Sequence, residues 1–281
     1  MRRILLLAVL ALITVGIFSV SPERAFTVSF LNVGQGDAIL IQSPTGTQVL
    51  VDGGATRGVL RELSRALPLF DRTLDAVVAT HPDQDHIGGL VHVLSRYEVE
   101  YFLESGNSAD TPAYHALERE LEQENPVRVV ARAGTRILLG GGAYLEVLFP
   151  DRDVSGVESN TASVILRVVY GDTEVLLTGD APASIERHLT TCALSGQCTV
   201  QADVLKAGHH GSKTSSDPAF IDAVDPQTVV FSRGCDNRYG HPAPEVVERF
   251  RERSVELLDT CEHGTITLTV RDGQVVLKTR K

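Results

Sequence analysis

The pattern of apolar and polar positions predicts alternating strands and helices from Phe26 to the end of the chain. Short apolar runs between glycine or polar turns are typical of strands, and apolar positions three and four apart are typical of helices. In the first half, the predicted strands are Thr27–Leu31, Ala38–Ser43, Gln48–Asp52 and Leu74–Ala79, and the predicted helices are Gly58–Leu67, Ile87–Ser95 and Thr111–Glu124.

The second half of the chain shows the same alternation. Its predicted strands are Leu145–Phe149, Ser163–Tyr170, Glu174–Thr178, Asp203–Lys206, Thr228–Ser232, Thr265–Val270 and Gln274–Lys278, and its predicted helices are Pro182–Ala193, Pro218–Ala223 and Pro244–Arg253. Neither a low-complexity segment nor a long linker separates the halves. We therefore expect one mixed α/β domain over residues 26–281.

Residues 1–25 have a different character from the predicted domain. Arg2 and Arg3 precede the apolar run Ile4–Val20, and small residues follow it. A basic start, an apolar middle and small residues at the end are typical of a secretory signal peptide. An uncleaved membrane anchor is the alternative, because the run is just long enough to span a bilayer. Both interpretations place the domain outside the cytoplasm, either secreted or anchored by this segment.

The four cysteines agree with an extracytoplasmic location. They are Cys192, Cys198, Cys235 and Cys261, and none forms a C-x-x-C pair, so a zinc site built from thiolates is not expected. Cys192 and Cys198 flank a short loop and predict one disulfide, which leaves Cys235 and Cys261 for a second. The other pairings and four free thiols remain alternatives.

Composition and charge limit the classes of partner. The chain has 281 residues, a formal net charge of −10 and no tryptophan. An acidic surface argues against a broad face for non-specific phosphate binding. Scarce aromatic residues argue against a stacking platform for single-stranded nucleic acid. A local basic patch or a bound metal ion would still accommodate an anion.

The segment His81–His86 carries the strongest chemical signal. It places two imidazoles and two carboxylates within six residues, directly after a predicted buried strand and before Gly88 and Gly89. Carboxylates crowded into one turn repel each other, whereas a divalent cation converts that repulsion into coordination. The pattern therefore predicts a metal site at the carboxyl end of this strand.

Further acidic and histidine side chains follow other predicted strands. They are Asp52, Asp180, His209, His210 and His241. Ligands and catalytic groups gather at the carboxyl ends of strands in α/β folds, so we expect these residues to share one site with His81–His86. Each also has a structural alternative: a turn or helix cap for the two aspartates, and a hydrogen-bonded strand end or turn for the histidines.

Several segments together resemble the metallo-β-lactamase superfamily, and more narrowly the extracellular hydrolase domain of ComEC-type competence proteins and its free-standing relatives. These segments are Asn32–Ala38, Val51–Gly54, His81–Gly89, Leu177–Asp180, Leu205–Ser212 and Asn237–Pro242. The resemblance runs from about Phe26 to the end of the chain. It implies an αββα sandwich, in which two sheets pack face to face with helices outside.

The resemblance also implies two divalent metal ions at one edge of the sandwich. The implied ligands are His81 and Asp83 for the first ion, Asp85 and His86 for the second ion, Asp180 as a bridge between them, and His210, or alternatively His209, to complete the coordination of the second ion. Asp52 would orient the loop through hydrogen bonds.

Two departures from the superfamily pattern concern the first ion. Asp83 stands where histidine is commonest, and an oxygen ligand there makes Mn²⁺ an alternative to the favoured Zn²⁺. The block that usually supplies a further histidine contains Asn160 instead. Asn160 is therefore a candidate weak ligand or substrate contact.

The implied activity is hydrolysis by a hydroxide that bridges the two ions. We expect a phosphodiester substrate, with DNA as one candidate, and no membrane contact beyond the N-terminal segment. Asp85 is assigned to catalysis through its ion, and His241 as the group that protonates the leaving oxygen. Ser212 and Lys213 are candidate contacts for a phosphate.

Two other functions remain alternatives at this point. One is hydrolysis of a β-lactam, lactone or thioester, which Asp83 and the missing histidine disfavour. The other is a non-catalytic binding protein on the same fold, which the intact set of candidate ligands disfavours.

Overall fold

Two mixed β-sheets pack face to face in residues 24–271 and 273–281, the part of the chain that the computed structural model describes. Most of the predicted signal peptide or anchor, residues 1–23, lies outside this part. The first sheet has the order β15-β14-β1-β2-β3-β4-β5-β6 and the second has the order β13-β12-β11-β10-β9-β8-β7.

The strands have the following bounds. The first sheet contains β1 (Phe26–Phe30), β2 (Ile39–Gln42), β3 (Gln48–Val51), β4 (Thr73–Ala79), β5 (Glu98–Glu104), β6 (Val127–Val130), β14 (Thr265–Arg271) and β15 (Gln274–Arg280). The second contains β7 (Arg136–Gly140), β8 (Ala143–Phe149), β9 (Ile165–Tyr170), β10 (Thr173–Leu177), β11 (Val204–Lys206), β12 (Thr228–Phe231) and β13 (Glu256–Asp259).

Helices cover the outer face of each sheet. On the first sheet these are α1 (Gly58–Ala66), α2 (Gln84–Ile87), α3 (Leu90–Leu94) and α4 (Pro112–Glu124). On the second they are α5 (Ala183–Leu194), α6 (Pro218–Val224) and α7 (Pro244–Arg251), and α8 (Thr260–His263) joins β13 to β14. Within the described residues, none of the helices has the length and apolarity to cross a bilayer.

Alternation along the strands explains the layers. Ile41 and Val49 point into the core between the sheets, whereas Leu40 and Leu50 point to the outer core under the helices. Successive strand side chains face opposite ways, so a sheet covered on both faces requires nearly continuous apolar runs. The predicted αββα sandwich is therefore confirmed.

The predicted elements differ from the structure in three respects. Several ends shift by one or two residues. The strands β5, β6, β7 and β13 and the short helix α8 were not among the predicted elements. The helix predicted over Ile87–Ser95 is instead two short helices, α2 and α3, separated by Gly88 and Gly89. A Cβ atom on Gly89 would lie 1.8 Å from the Gly53 carbonyl oxygen, so this close approach requires glycine.

The two predicted disulfides are confirmed. Cys192 pairs with Cys198 at the end of α5, and Cys235 pairs with Cys261. The second bridge ties the segment after β12 to α8, across a sequence separation of 26 residues.

Parallel pairing brings the candidate residues to one edge of the sandwich. Strands β3 and β4 are parallel neighbours in the first sheet, and β10, β11 and β12 are parallel neighbours in the second. The segments after these strands carry all the acidic and histidine residues singled out above, because the carboxyl ends of parallel strands lie at the same edge.

Candidate metal centre

The loop after β4 presents two buried imidazoles and two more open carboxylates. His81 and His86 are buried, whereas the Asp83 and Asp85 side chains are 43% and 30% exposed. Asp83 directly precedes α2, and Asp85 and His86 lie within it. The loop therefore has an inner histidine face and an outer carboxylate face that is open to solvent.

Asp52 determines which nitrogen of each imidazole is available. Its Oδ2 accepts hydrogen bonds from the Thr80 hydroxyl at 2.7 Å and from His86 Nδ1 at 2.7 Å. Because the Thr80 proton is used in this way, Thr80 Oγ1 accepts from His81 Nδ1 at 2.9 Å. In its neutral form each ring then carries a free electron pair on Nε2, the arrangement that metal-ligating histidines need.

His210 reaches the same state from the second sheet. Its Nδ1 donates to the Ser232 carbonyl at 2.8 Å, which leaves Nε2 as the acceptor. That Nε2 lies 3.4 Å from Asp85 Oδ2 and 3.5 Å from Asp180 Oδ2. The turn that aims it has positive φ angles of 47° at His209 and 55° at His210. Such strained backbone concentrates at functional sites.

Asp180 lies between His86, in the loop after β4, and His210, which follows β11 in the second sheet. Its Oδ1 is 3.3 Å from His86 Nε2, and its Oδ2 faces His210. Helix α5 begins after Pro182 without a side-chain cap, so Asp180 is not the helix cap considered as its alternative role. Each carboxylate oxygen thus faces a different candidate imidazole ligand, which places Asp180 in the middle of the candidate ligand set.

The donor set fits divalent metal ions. The Nε2 atoms of His81, His86 and His210 are buried without a hydrogen-bond partner, although each has a candidate acidic ligand within 4 Å. Ligands bound at ~2.1 Å in a tetrahedron lie ~3.4 Å apart, close to the separations between these imidazoles and Asp85 or Asp180. His81, His86 and Asp180 form one compact ligand group, and Asp85, His86 and His210 form another.

His209 lies further from the centre than His210. Its Nε2 is 3.7 Å from Asp180 Oδ2, its Nδ1 contacts Thr214 Oγ1 at 3.2 Å, and its side chain is partly exposed. Of the two adjacent histidines, His210 therefore has the geometry of an inner ligand.

A buried lysine occupies the inner side of the centre. Lys206 Nζ lies 2.6 Å from Asp37 Oδ2, 3.5 Å from Asp180 Oδ1 and 2.8 Å from the Gly179 carbonyl, to which it donates. Burial lowers the pKa of this ammonium, but the carboxylates of Asp37 and Asp180 outweigh burial and raise it. Lys206 is therefore charged and neutralises part of the negative charge of Asp37 and Asp180.

Nearby carboxylates and burial act in opposite directions on the pKa values of the imidazoles. Burial lowers the pKa of His210, but the neighbouring carboxylates of Asp180, Asp37 and Asp85 outweigh burial and raise it to about 9. Burial likewise opposes a charge on His86, yet Asp180 and Asp52 hold its pKa well above the usual value. Burial and the neighbouring His86 keep the pKa of His81 well below its usual range. A field that favours protons on two of the rings also attracts divalent cations.

Asn160 lies in a short 3-10 helix, Asn160–Ala162, beside the loop. Its Oδ1 is buried without a hydrogen-bond partner. The preceding Ser159 donates its hydroxyl to Asp83 Oδ1 at 2.6 Å, and burial raises the pKa of Asp83. The Asn160 block therefore contacts the predicted first-ion half through Ser159.

The remaining predicted residues surround the outer face. The His241 ring lies 5.6 Å from the His209 ring, measured between centroids. Ser212 is buried and its hydroxyl contacts Thr214 at 3.0 Å, whereas Lys213 is exposed. His241 thus adjoins the centre through His209, while Ser212 makes a local turn contact.

Sequence reasoning assigned no role to Asp37, Thr80, Lys206 or Ser232. Asp37 and Lys206 pair across 169 positions of the chain, which no local pattern reveals. One signal was present: each is a charged residue adjoining a buried apolar run, Asp37 before β2 and Lys206 at the end of β11.

The chain belongs to the metallo-β-lactamase superfamily, whose family model matches residues 31–234. Among curated relatives, ComE operon protein 3 of Bacillus subtilis is 29% identical over 257 residues, which cover 85% of this chain and 32% of that protein. Recombination protein 2 of Haemophilus influenzae is 31% identical over 264 residues, covering 92% of this chain and 30% of that protein. The chain thus spans about a third of the length of these relatives.

Solved structures agree on the fold. Igni18, a metallo hydrolase from Ignicoccus hospitalis, superposes with a TM-score of 0.53 at 15% identity, covering 87% of this chain and 100% of that one. CmlA, a diiron β-hydroxylase from Streptomyces venezuelae, has a TM-score of 0.56 at 17% identity, covering 89% and 55%. The superfamily relationship agrees with the resemblance in the sequence motifs.

Proposed function

We propose that this chain is an extracytoplasmic, metal-dependent phosphodiesterase that holds two divalent ions, with DNA among its candidate substrates. The observation that carries the proposal is the convergence of three unpaired imidazole Nε2 atoms on Asp180 and Asp85. Similarity to Competence protein ComA of Neisseria gonorrhoeae and to Recombination protein 2 favours a nucleic-acid phosphodiester over other substrates.

The candidate ligands form two sets, one for each ion. His81 and Asp83 would hold the first ion, and Asp85, His86 and His210 the second, with Asp180 shared. Bound divalent ions supply an activated water near neutral pH and neutralise phosphoryl oxygens. Zn²⁺ suits the imidazoles, and the carboxylate of Asp83 keeps Mn²⁺ as the second candidate.

Asp83 and Asp85 lie on the exposed side of the centre, so substrate approaches from that side. Lys213, exposed beside His210, would meet the phosphate charge, and Asn160 would contact the first ion or the substrate. Ser212 would serve by shaping the turn. His241 would donate the proton to the leaving oxygen.

The primary experiment is metal analysis of the purified protein together with hydrolysis of bis-p-nitrophenyl phosphate and linear DNA, assayed with Zn²⁺ and with Mn²⁺. We expect bound metal, turnover with at least one ion, and loss of turnover in Asp180→Asn. His115→Ala is the matched control, because His115 is exposed and pairs with Asp110 on the protein surface. Metal-free protein that stays inactive with both ions would support a non-catalytic role, and turnover of β-lactams or thioesters alone would support the other hydrolase class.

The role of His241 is tested with leaving groups. If His241 protonates the leaving oxygen, His241→Ala should slow diesters with an alkyl leaving group far more than those with p-nitrophenol, which leaves without a proton. Equal effects on both classes would assign His241 to binding instead.

The extracytoplasmic location is supported by the two disulfides, since such bridges persist in oxidising compartments. Cell fractionation of the full chain, with alkylation of free thiols before reduction, tests it. Four freely alkylated cysteines in native material would contradict it.

A further inference from the structure

A row of three rings runs from the protein surface to the metal centre. The Tyr239 ring lies 5.8 Å from the His241 ring with the planes only 15° apart, and the His241 ring lies 5.6 Å from the His209 ring. His209 in turn reaches Asp180. The outermost ring is thus connected to the candidate site through direct neighbours.

The segment that carries Tyr239 is held in place from several sides. Asn237 donates from Nδ2 to the carbonyls of Gly234 and His241, at 2.9 and 2.8 Å, and its Oδ1 accepts from the His241 backbone N–H at 2.9 Å. The Cys235–Cys261 disulfide ties the start of the segment to α8. A binding residue on such a braced loop loses little conformational freedom when a ligand arrives.

The Tyr239 side chain is largely exposed and is not part of the hydrophobic core. Its side chain is 58% exposed, and its neighbour Arg238 places a guanidinium over the ring at 5.6 Å. The other strongly exposed aromatic residues in the described part of the chain are elsewhere: Phe70 lies at the amino end of β4, away from the site, and Tyr101 lies on β5. Tyr239 is therefore the exposed aromatic residue that adjoins the centre.

We propose that Tyr239 is a stacking platform for a nucleobase that flanks the scissile phosphodiester, an inference that rests on the proposed function and narrows its substrate to nucleic acid. Every base has a π-face, so one aromatic ring binds bases with little sequence preference. Arg238 makes only a weak, exposed cation–π contact and can turn to a neighbouring phosphate, as can Lys213.

This subsite distinguishes nucleic acid from other phosphodiesters. A glycerol head group offers no flat ring to stack on Tyr239, and a choline head group would contact the ring through its quaternary ammonium rather than by stacking. The single ring also fits the low aromatic content and negative charge of the chain, because it provides one stacking position rather than an extended platform.

The first test measures binding without cleavage. Fluorescence anisotropy with chelator present compares a labelled oligothymidylate with an abasic oligonucleotide of equal length, for the wild type, Tyr239→Leu, Tyr239→Phe and Tyr101→Leu. We expect the wild type to prefer the base-containing strand by roughly 5- to 150-fold. Tyr239→Phe and the control Tyr101→Leu should keep that preference, and Tyr239→Leu should lose it. Equal or undetectable binding of both strands by the wild type, or an unchanged preference in Tyr239→Leu, would overturn the proposal.

The second test measures cleavage of an oligonucleotide with one labelled phosphodiester, with and without an abasic nucleotide beside it. Removing the base and removing the ring should give effects on kcat/KM that are not additive, because each removes the same contact. Wild-type cleavage with additive effects would overturn the subsite and leave the proposed function standing. A base preference in binding that depends on Tyr239, without hydrolysis of any phosphodiester, would overturn the catalytic function and support the subsite.

Discussion

Asp52 fixes the protons on two imidazoles of the candidate centre and would therefore act on a bound ion indirectly. Its carboxylate accepts from the Thr80 backbone N–H at 2.8 Å as well as from the Thr80 hydroxyl and His86 Nδ1. An amide in its place would turn one of these acceptor positions into a donor. The backbone φ of 57° at Asp52 is one that asparagine tolerates, so Asp52→Asn changes hydrogen bonding more than conformation.

We therefore expect Asp52→Asn to weaken zinc binding by roughly 10- to 100-fold, the usual effect of removing a hydrogen bond that orients a ligand. Competition with a chromophoric chelator measures the affinity. Asp151→Asn is the matched control, because Asp151 accepts from His188 Nε2 at 2.7 Å in a pair outside the centre. Equal zinc affinity in both variants and the wild type would show that Asp52 does not orient the ligands.

Lys206 is buried and compensates for the carboxylates around it. Replacing it by methionine removes the buried ammonium beside Asp37 and Asp180, and removing one partner of a buried ion pair costs ~3–5 kcal/mol. We expect Lys206→Met to lower the free energy of unfolding of the chelated protein by about that amount, measured with urea.

Adding Asp37→Asn to Lys206→Met should recover part of the loss, because it removes one of the uncompensated charges. Lys278→Met, at an exposed position on β15, should change stability by less than ~0.5 kcal/mol. Strictly additive effects of the Lys206 and Asp37 substitutions would mean that the two side chains do not stabilise each other.

At the level of elements, the sequence predicted best where one local pattern determines the structure. Strands such as β2 and β3 are covered on both faces and appear as continuous apolar runs. Strand β5 was missed because Glu98 and Glu100 at its start have low strand propensity and face outward. Its pairing with β4, a contact distant in sequence, decides the structure there.

In the candidate site, too, the local pattern was predictable and the contacts between distant segments were not. The loop His81–His86 was predictable because four ligand-type side chains lie within one turn. The pairing of Asp37 with Lys206 and the contacts of Asp52 with Thr80 and His86 were not, because they depend on how β2, β3, β4 and β11 align in two different sheets.

Helix α5 contains a buried carboxyl group, that of Glu186, which accepts hydrogen bonds from the turn before α6. Glu186 accepts from the backbone N–H groups of Ser216 and Asp217, at 2.8 and 2.7 Å, which favours the charged form. Burial acts in the opposite direction and is the larger effect, raising the pKa of Glu186 to about 7. The folded protein therefore keeps a proton on Glu186 at pH values where the unfolded chain has lost it.

Because the folded state binds more protons between pH 4.5 and 7, the free energy of unfolding should fall as pH rises through this window, by ~3 kcal/mol from this group. Glu186→Gln cannot titrate, so its stability relative to the wild type should rise with pH by about that amount, even if the absolute stability is lower. Urea unfolding of chelated protein at several pH values measures the difference, with the exposed Glu245→Gln as the control for losing a carboxylate. A difference that does not change with pH would contradict the raised pKa.

At the scale of the whole molecule, the metal centre joins the two sheets. The first sheet contributes His81–His86 after β4 and Asp52 after β3, and the second contributes Asp180 after β10 and His210 after β11. Without a cation the contacts across this edge are between carboxylates and imidazoles, with Lys206 as the main fixed positive charge. A bound metal ion would therefore connect segments that are distant in sequence and belong to different sheets.

A ligand that binds only the folded state stabilises it by RT ln(1 + [L]/Kd), which is ~2.7 kcal/mol at a metal concentration one hundred times Kd. We expect added Zn²⁺ to raise the free energy of unfolding of the wild type by this relation, in one cooperative transition, because the ligands come from both sheets. Asp180→Asn, which changes a residue after β10 in the second sheet, and His81→Ala, which changes one after β4 in the first sheet, should both remove most of the effect. His115→Ala should keep it. Urea unfolding followed by circular dichroism over a range of zinc concentrations tests the prediction. A second transition that alone responds to zinc, or full stabilisation in Asp180→Asn, would show that the ions bind to residues of one sheet rather than between the two sheets.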